Sequence, residues 1–89
     1  MARHASAMKR ARQNEKRRLR NQGRKTRVKH LVRNVRQALA QKNLEEAETA
    51  LKKAVPIIAQ VAGKGTLHWR TAARKISRLT QQVNALKGA

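Results

Sequence analysis

The sequence predicts an all-α protein, an antiparallel three-helix bundle whose long, basic N-terminal helix protrudes past its two companions. Three observations carry that prediction. Apolar residues recur at helical spacing in three separate stretches, short connections near residues 40–43 and 63–66 divide those stretches, and the first stretch can run much further than the others. Short connections make consecutive helices antiparallel, so the economical arrangement is up-down-up. Helices two and three should each be about 20 residues and ~30 Å long, while the first can reach about 36 residues and ~54 Å. The first must therefore project.

Each element follows from its own residues. Turning about 100° per residue from Val28, the side chains of Leu31, Val32, Val35, Ala38 and Leu39 share one face, and Lys29, Arg33 and Arg36 take the opposite one. Helix-favouring Lys, Arg, Gln, Ala and Glu upstream let this helix extend back toward Ser6 as N-cap. Gly23 is its weak point, costing ~1 kcal/mol relative to Ala. Asn43 followed three residues later by Glu46 reads as a capping-box variant that starts a second helix, with Glu45, Glu46 and Glu48 clustered in its first turn at the positive end. Its inner face comprises Leu44, Ala47, Leu51, Ala54, Val55, Ile58, Val61 and Ala62, and Gly63 is the expected left-handed stop. Pro56 projects from the outer face, where it should kink the helix without ending it. A third helix is expected from about Leu67 to Leu86, with Trp69, Ala72, Ala73, Ile76, Leu79, Val83 and Leu86 facing inward.

Composition narrows the class of protein. The 89 residues form one domain, a basic arm over 1–27 joined to a bundle over 28–89, because Leu19 is the arm's sole Leu, Ile, Val or Phe. A chain this small has no room for a substrate cleft beside a core, so function belongs on its surface. Without cysteine there is neither a disulfide frame nor a thiolate metal site. The longest apolar run, around Val55 to Ala62, falls far below the roughly 20 residues of a membrane span. Catalysis lacks its groups. There is no Asp, and His4, His30 and His68 stand far apart with no carboxylate at a useful spacing, which also removes a metal site. No cofactor and no small-molecule substrate are expected. The basic N-terminus reads as a retained functional arm, since it lacks the apolar stretch of a secretory leader.

Charge points to the partner. The first 37 residues contain 14 of the 23 Lys and Arg and a single acid, Glu15, in a chain of formal charge +19. Such a segment needs a dense polyanion, and nucleic-acid phosphate is the commonest one. Lys9, Arg12, Lys16, Arg20 and Arg27 lie on one side of the helix, Arg10, Arg17 and Arg24 on a second, and Arg18 and Lys25 on a third. Charge on every face suits insertion among several backbones, as in folded RNA, better than a single duplex groove. Arg10, Arg17 and Arg24 also continue the angle of the apolar stripe, so RNA is expected to replace the missing helices there. A sparser patch of Arg70, Arg74, Lys75 and Arg78 adds to the phosphate-binding surface, and His68 beside it is a turn residue or a donor to phosphate or sugar. Trp69 could stack on a base, but its angle assigns it to capping the bundle.

The segments Ser6-Ala-Met-Lys-Arg-Ala-Arg-Gln13, Asn14-Glu-Lys-Arg-Arg-Leu-Arg-Asn21, Arg24-Lys-Thr-Arg-Val-Lys29, Gly65-Thr-Leu-His68, Thr71-Ala-Ala-Arg-Lys75 and Ser77-Arg-Leu79 follow in an order that resembles the bacterial and plastid small-subunit ribosomal protein numbered twenty. The resemblance covers about residues 6–86. It implies a three-helix bundle that binds 16S ribosomal RNA directly and early in assembly, its first helix passing between stems of the 5′ domain and near the penultimate stem. It also implies a cytoplasmic, or plastid, ribosomal location among other small-subunit components. By matching motif, the implied RNA contacts are Ser6, Lys9, Arg10, Arg12, Gln13, Asn14, Lys16, Arg17, Arg18, Arg20, Asn21, Arg24, Lys25, Thr26 and Arg27, then His68, Thr71, Arg74, Lys75 and Arg78. Trp69-Arg70 stands where the family more often has Lys-Asn.

Two rival readings share part of this pattern. A histone-like DNA-compacting protein shares the charge but does not need a protruding helix that is basic all round. A cationic membrane-active peptide needs bulky apolar residues in the arm, where Met8 and Leu19 are too few. Repulsion between like charges at i,i+3 and i,i+4 is expected to keep residues up to about Arg27 unordered until RNA is present.

Overall fold

The computed structural model describes residues 2–88, with side chains from residue 5 onward; His4 thus lies outside the described side chains. Three α-helices follow in order: α1 (Ala2–Ala40), α2 (Leu44–Gly63) and α3 (Trp69–Gly88). Among the described residues there is no strand. The antiparallel bundle is as the apolar periodicity predicts, with α2 in the middle packing on both neighbours and α1 meeting α3 least.

The core begins at Val28 and runs through Val32, Val35 and Ala38 of α1, Ala47, Ala54, Ile58 and Val61 of α2, and Ala72, Leu79 and Val83 of α3. Ile58 and Val35 are the largest side chains sealed completely from solvent. Alanine at four of these positions lets the helix backbones approach closely. No described side chain N-terminal to Val28 is buried, so α1 leaves its bundle behind at that point. The molecule is a rod of 68 × 21 × 14 Å, and its radius of gyration of 17.9 Å exceeds the ~12 Å of a compact chain this long.

Helix boundaries show which local signals govern. Asn43 caps α2 as expected, its Oδ1 accepting from the Glu46 N–H at 3.2 Å. The reciprocal half of a capping box is absent, because the Asn43 N–H instead donates to the Ala38 carbonyl at 3.0 Å. That bond and the one from the Lys42 N–H to the Leu39 carbonyl form a Schellman end on α1. Lys42 occupies its left-handed position, with φ 56°. Of the expected acids, Glu45 and Glu46 stand in the first turn of α2. Pro56 lies within α2 and is exposed, so the carbonyl it deprives of a donor, that of the exposed Lys52, is on the solvent side.

Several expected boundaries are corrected. Ser6 is not an N-cap, because α1 continues through it to Ala2; nothing in Ala5, His4 or Arg3 stops a helix. Gly63 remains helical, and the left-handed residue is Gly65 at φ 78°, whose N–H reaches the Ala62 carbonyl. Helix three starts at Trp69, two residues later than expected, and Leu67 packs against the core from the turn. Ala73 is exposed. The stretch expected to await RNA is already one uninterrupted helix, passing through Gly23. Good helix formers dominate it, and Glu15 offsets part of the repulsion by pairing with Arg18.

Candidate nucleic-acid interface

The arm displays nearly all of its polar groups to solvent. Ser6, Lys9, Arg10, Arg12, Gln13, Asn14, Lys16, Arg17, Arg18, Arg20, Asn21, Lys25, Thr26 and Arg27 are exposed, and only Arg24 is half-buried. The long helix with no companion over its first turns is what keeps these cations apart and accessible on all sides.

One acid interrupts the positive field. Arg18 holds Glu15 in a two-point contact, Nη2 to Oε1 at 2.6 Å and Nε to Oε2 at 3.1 Å. The hydrogen bond and then the charge of Arg18 keep the Glu15 carboxyl below its usual range, and Glu15 raises the Arg18 value in return. Both groups are open to water, so the pair is a weak brake that phosphate can displace. The other described salt bridge, Lys87 Nζ to Glu48 Oε1 at 3.9 Å, is remote in sequence from the arm. Glu45, Glu46 and Glu48 all belong to the start of α2, next to the connection at the end of α1 opposite the arm. Charge is thus segregated along the rod.

Arg24 serves two purposes. Its Nη1 donates to Thr66 Oγ1 at 3.2 Å and to Asn21 Oδ1 at 3.4 Å, and Thr66 Oγ1 donates to Asn21 Oδ1 at 3.1 Å. This knot fastens the turn between α2 and α3 to the base of the arm. It thereby sets the predicted second patch beside the first. His68, Thr71, Arg74 and Arg78 of that patch are exposed, and Lys75 is half-buried.

The seam between α1 and α3 supplies what the sequence reading missed. A groove of about 740 Å³ there has Val28, Val32, Val61 and Leu67 in its walls and Lys25, Lys29, Arg33, Arg36 and Lys75 around it. Lys25 and Lys75 belong to the two predicted patches; Lys29, Arg33 and Arg36 bridge them. The signal for these three was present in their i,i+4,i+7 spacing, but only the light contact between α1 and α3 makes that face a shared groove.

Trp69 is corrected most plainly. Expected to cap the bundle, it is instead 64% exposed. At the first position of α3 the indole is outside the core cluster and lies against its chain neighbours His68 and Arg70 instead. His68 serves as a side-chain cap, its Nδ1 accepting from the Arg70 N–H at 3.1 Å.

Among the described residues no helix is long and apolar enough to cross a membrane, and no cluster of three metal-ligating side chains occurs. A family model described as "Ribosomal protein S20" matches residues 2–84. The chain is 51% identical to the small ribosomal subunit protein bS20 of Syntrophobacter fumaroxidans, across 97% of this chain and 100% of that one. It is likewise 51% identical to the protein of the same name from Nitratidesulfovibrio vulgaris, across 94% and 97% of the two chains. For the Solidesulfovibrio magneticus protein the figure is 48%, with both chains covered completely.

Proposed function

Because the chain belongs to the ribosomal protein S20 family, and is therefore a structural constituent of the small ribosomal subunit and not an enzyme, we propose that it binds 16S ribosomal RNA directly and stabilises the folded RNA during assembly. One observation supports this above the rest. The 39-residue α1 continues well beyond the last core side chain at Val28, and there it offers cations on all faces with Glu15 as their sole acidic neighbour. Lys and Arg placed among converging phosphates release counterions and let stems that repel one another pack. The arm enters between stems of the 5′ domain and lies near the penultimate stem, while the α3 patch and the groove cations hold RNA against the bundle. Shape is read more than sequence, since few side chains are suited to base edges. On this reading the protein works in the ribosome, in the cytoplasm.

The test is co-sedimentation with the small subunit through a sucrose gradient, followed by chemical footprinting of its RNA. Protection of discrete sites is expected. Diffuse protection, equal on DNA and RNA, would instead favour the DNA-compacting rival.

A further inference from the structure

We propose that Trp69 is a stacking platform for an unpaired base of the bound RNA, an assignment that rests on the RNA-binding reading above and gives a phosphate-binding surface one base-directed contact. The bundle has no use for this side chain. Its core closes with Ala72, Leu79 and Val83 on α3, and the chain's one Trp, with no Tyr or Phe beside it, stays 64% exposed. His68 and Arg70 touch the indole but leave most of it open to water amid cations, and bases are the flat apolar groups that phosphate-bound RNA brings with it.

Its surroundings favour that partner. The His68 ring stacks against the indole with centroids 5.8 Å apart and planes 27° from parallel, and the Arg70 guanidinium carbon lies 5.3 Å from the indole centroid. The Arg70 N–H fixes the imidazole by donating to its Nδ1. Aromatic rings and arginine planes are the two surfaces on which proteins stack unpaired bases. Here both are assembled at one helix start. Location agrees as well, since Thr66, three residues before Trp69, is hydrogen-bonded to Asn21 and Arg24 of the arm. RNA following the arm therefore passes the indole.

The single Trp makes its own emission the probe. Small-subunit ribosomal RNA is titrated into the full chain, with inorganic polyphosphate as a polyanion that lacks bases, while filter binding follows affinity separately. RNA is expected to quench Trp69 emission and polyphosphate to leave it unchanged. Trp69→Leu, which keeps an apolar side chain at an exposed position, should retain native helicity and polyphosphate affinity but bind the RNA about tenfold more weakly, or ~1.4 kcal/mol. Equal quenching by polyphosphate overturns the stacking assignment, as does native RNA affinity in Trp69→Leu, and both leave RNA binding itself standing. A native chain that does not bind the RNA in the filter assay overturns this assignment together with the function on which it rests.

Discussion

At the scale of single residues, the side chains divide by whether they hold the protein or face its partner. Glu15 does neither well: it neutralises Arg18 at the centre of the cationic arm. Glu15→Gln removes the arm's one negative charge and should tighten RNA binding roughly two- to fivefold, as read by filter binding at low salt. Acidification removes the same charge together with the pair's support of the helix. The Glu15 carboxyl lies below its usual value because of Arg18, so the pair supports the helix above the unfolded-state pKa and is lost as pH falls through the lowered one. Lys42 carries strain, with a side chain at φ 56°. Lys42→Gly should raise stability by about 0.5–1 kcal/mol in thermal melts, the relief of a left-handed side chain exceeding the added chain entropy. Residues such as Asn43 were legible because a cap involves groups three positions apart. Trp69 was not, because helical angle says nothing about where a helix starts, and α3 begins at Trp69 itself, two residues later than expected.

Among the elements, α1 is the one with two environments. From Asn21 onward it is fastened to the turn and then to the core, whereas before Asn21 it has no tertiary partner among the described residues. That half should melt first. Gly23 sits near the junction, and a methyl group added there meets nothing within 4 Å. Gly23→Ala should therefore stabilise the arm by up to ~1 kcal/mol, visible as greater helicity of the free chain by circular dichroism. RNA affinity should rise with it, by no more than about fivefold, because less ordering remains for binding to impose. Element number, order and antiparallel sense were readable from apolar spacing, as were the unequal lengths. The groove between α1 and α3 was not, since the depth of contact between non-consecutive helices depends on all three packing together. Lys29, Arg33 and Arg36 were therefore readable only as the face opposite the apolar stripe.

For the whole molecule, charge and shape act together. Cations spread along a 68 Å rod can meet phosphates from several RNA segments at once, while the acids at the start of α2 mark the opposite end. Such binding must be steeply salt-dependent. If about ten phosphates are neutralised, log K should fall with log salt at a slope of roughly −7 to −9. A slope shallower than about −3 would mean that most of the arm makes no phosphate contact. The central claim is that the arm lies among RNA segments that are distant in sequence. Since the chain has no cysteine, Asn14→Cys and Thr49→Cys each create a unique attachment point for an iron chelate, one on the arm and one near the acids. Hydroxyl radicals released from assembled small subunits should cut the RNA in several separate segments around residue 14 and far less around residue 49. Equal cutting from both positions, or none from residue 14 in subunits that retain the protein, would contradict the account.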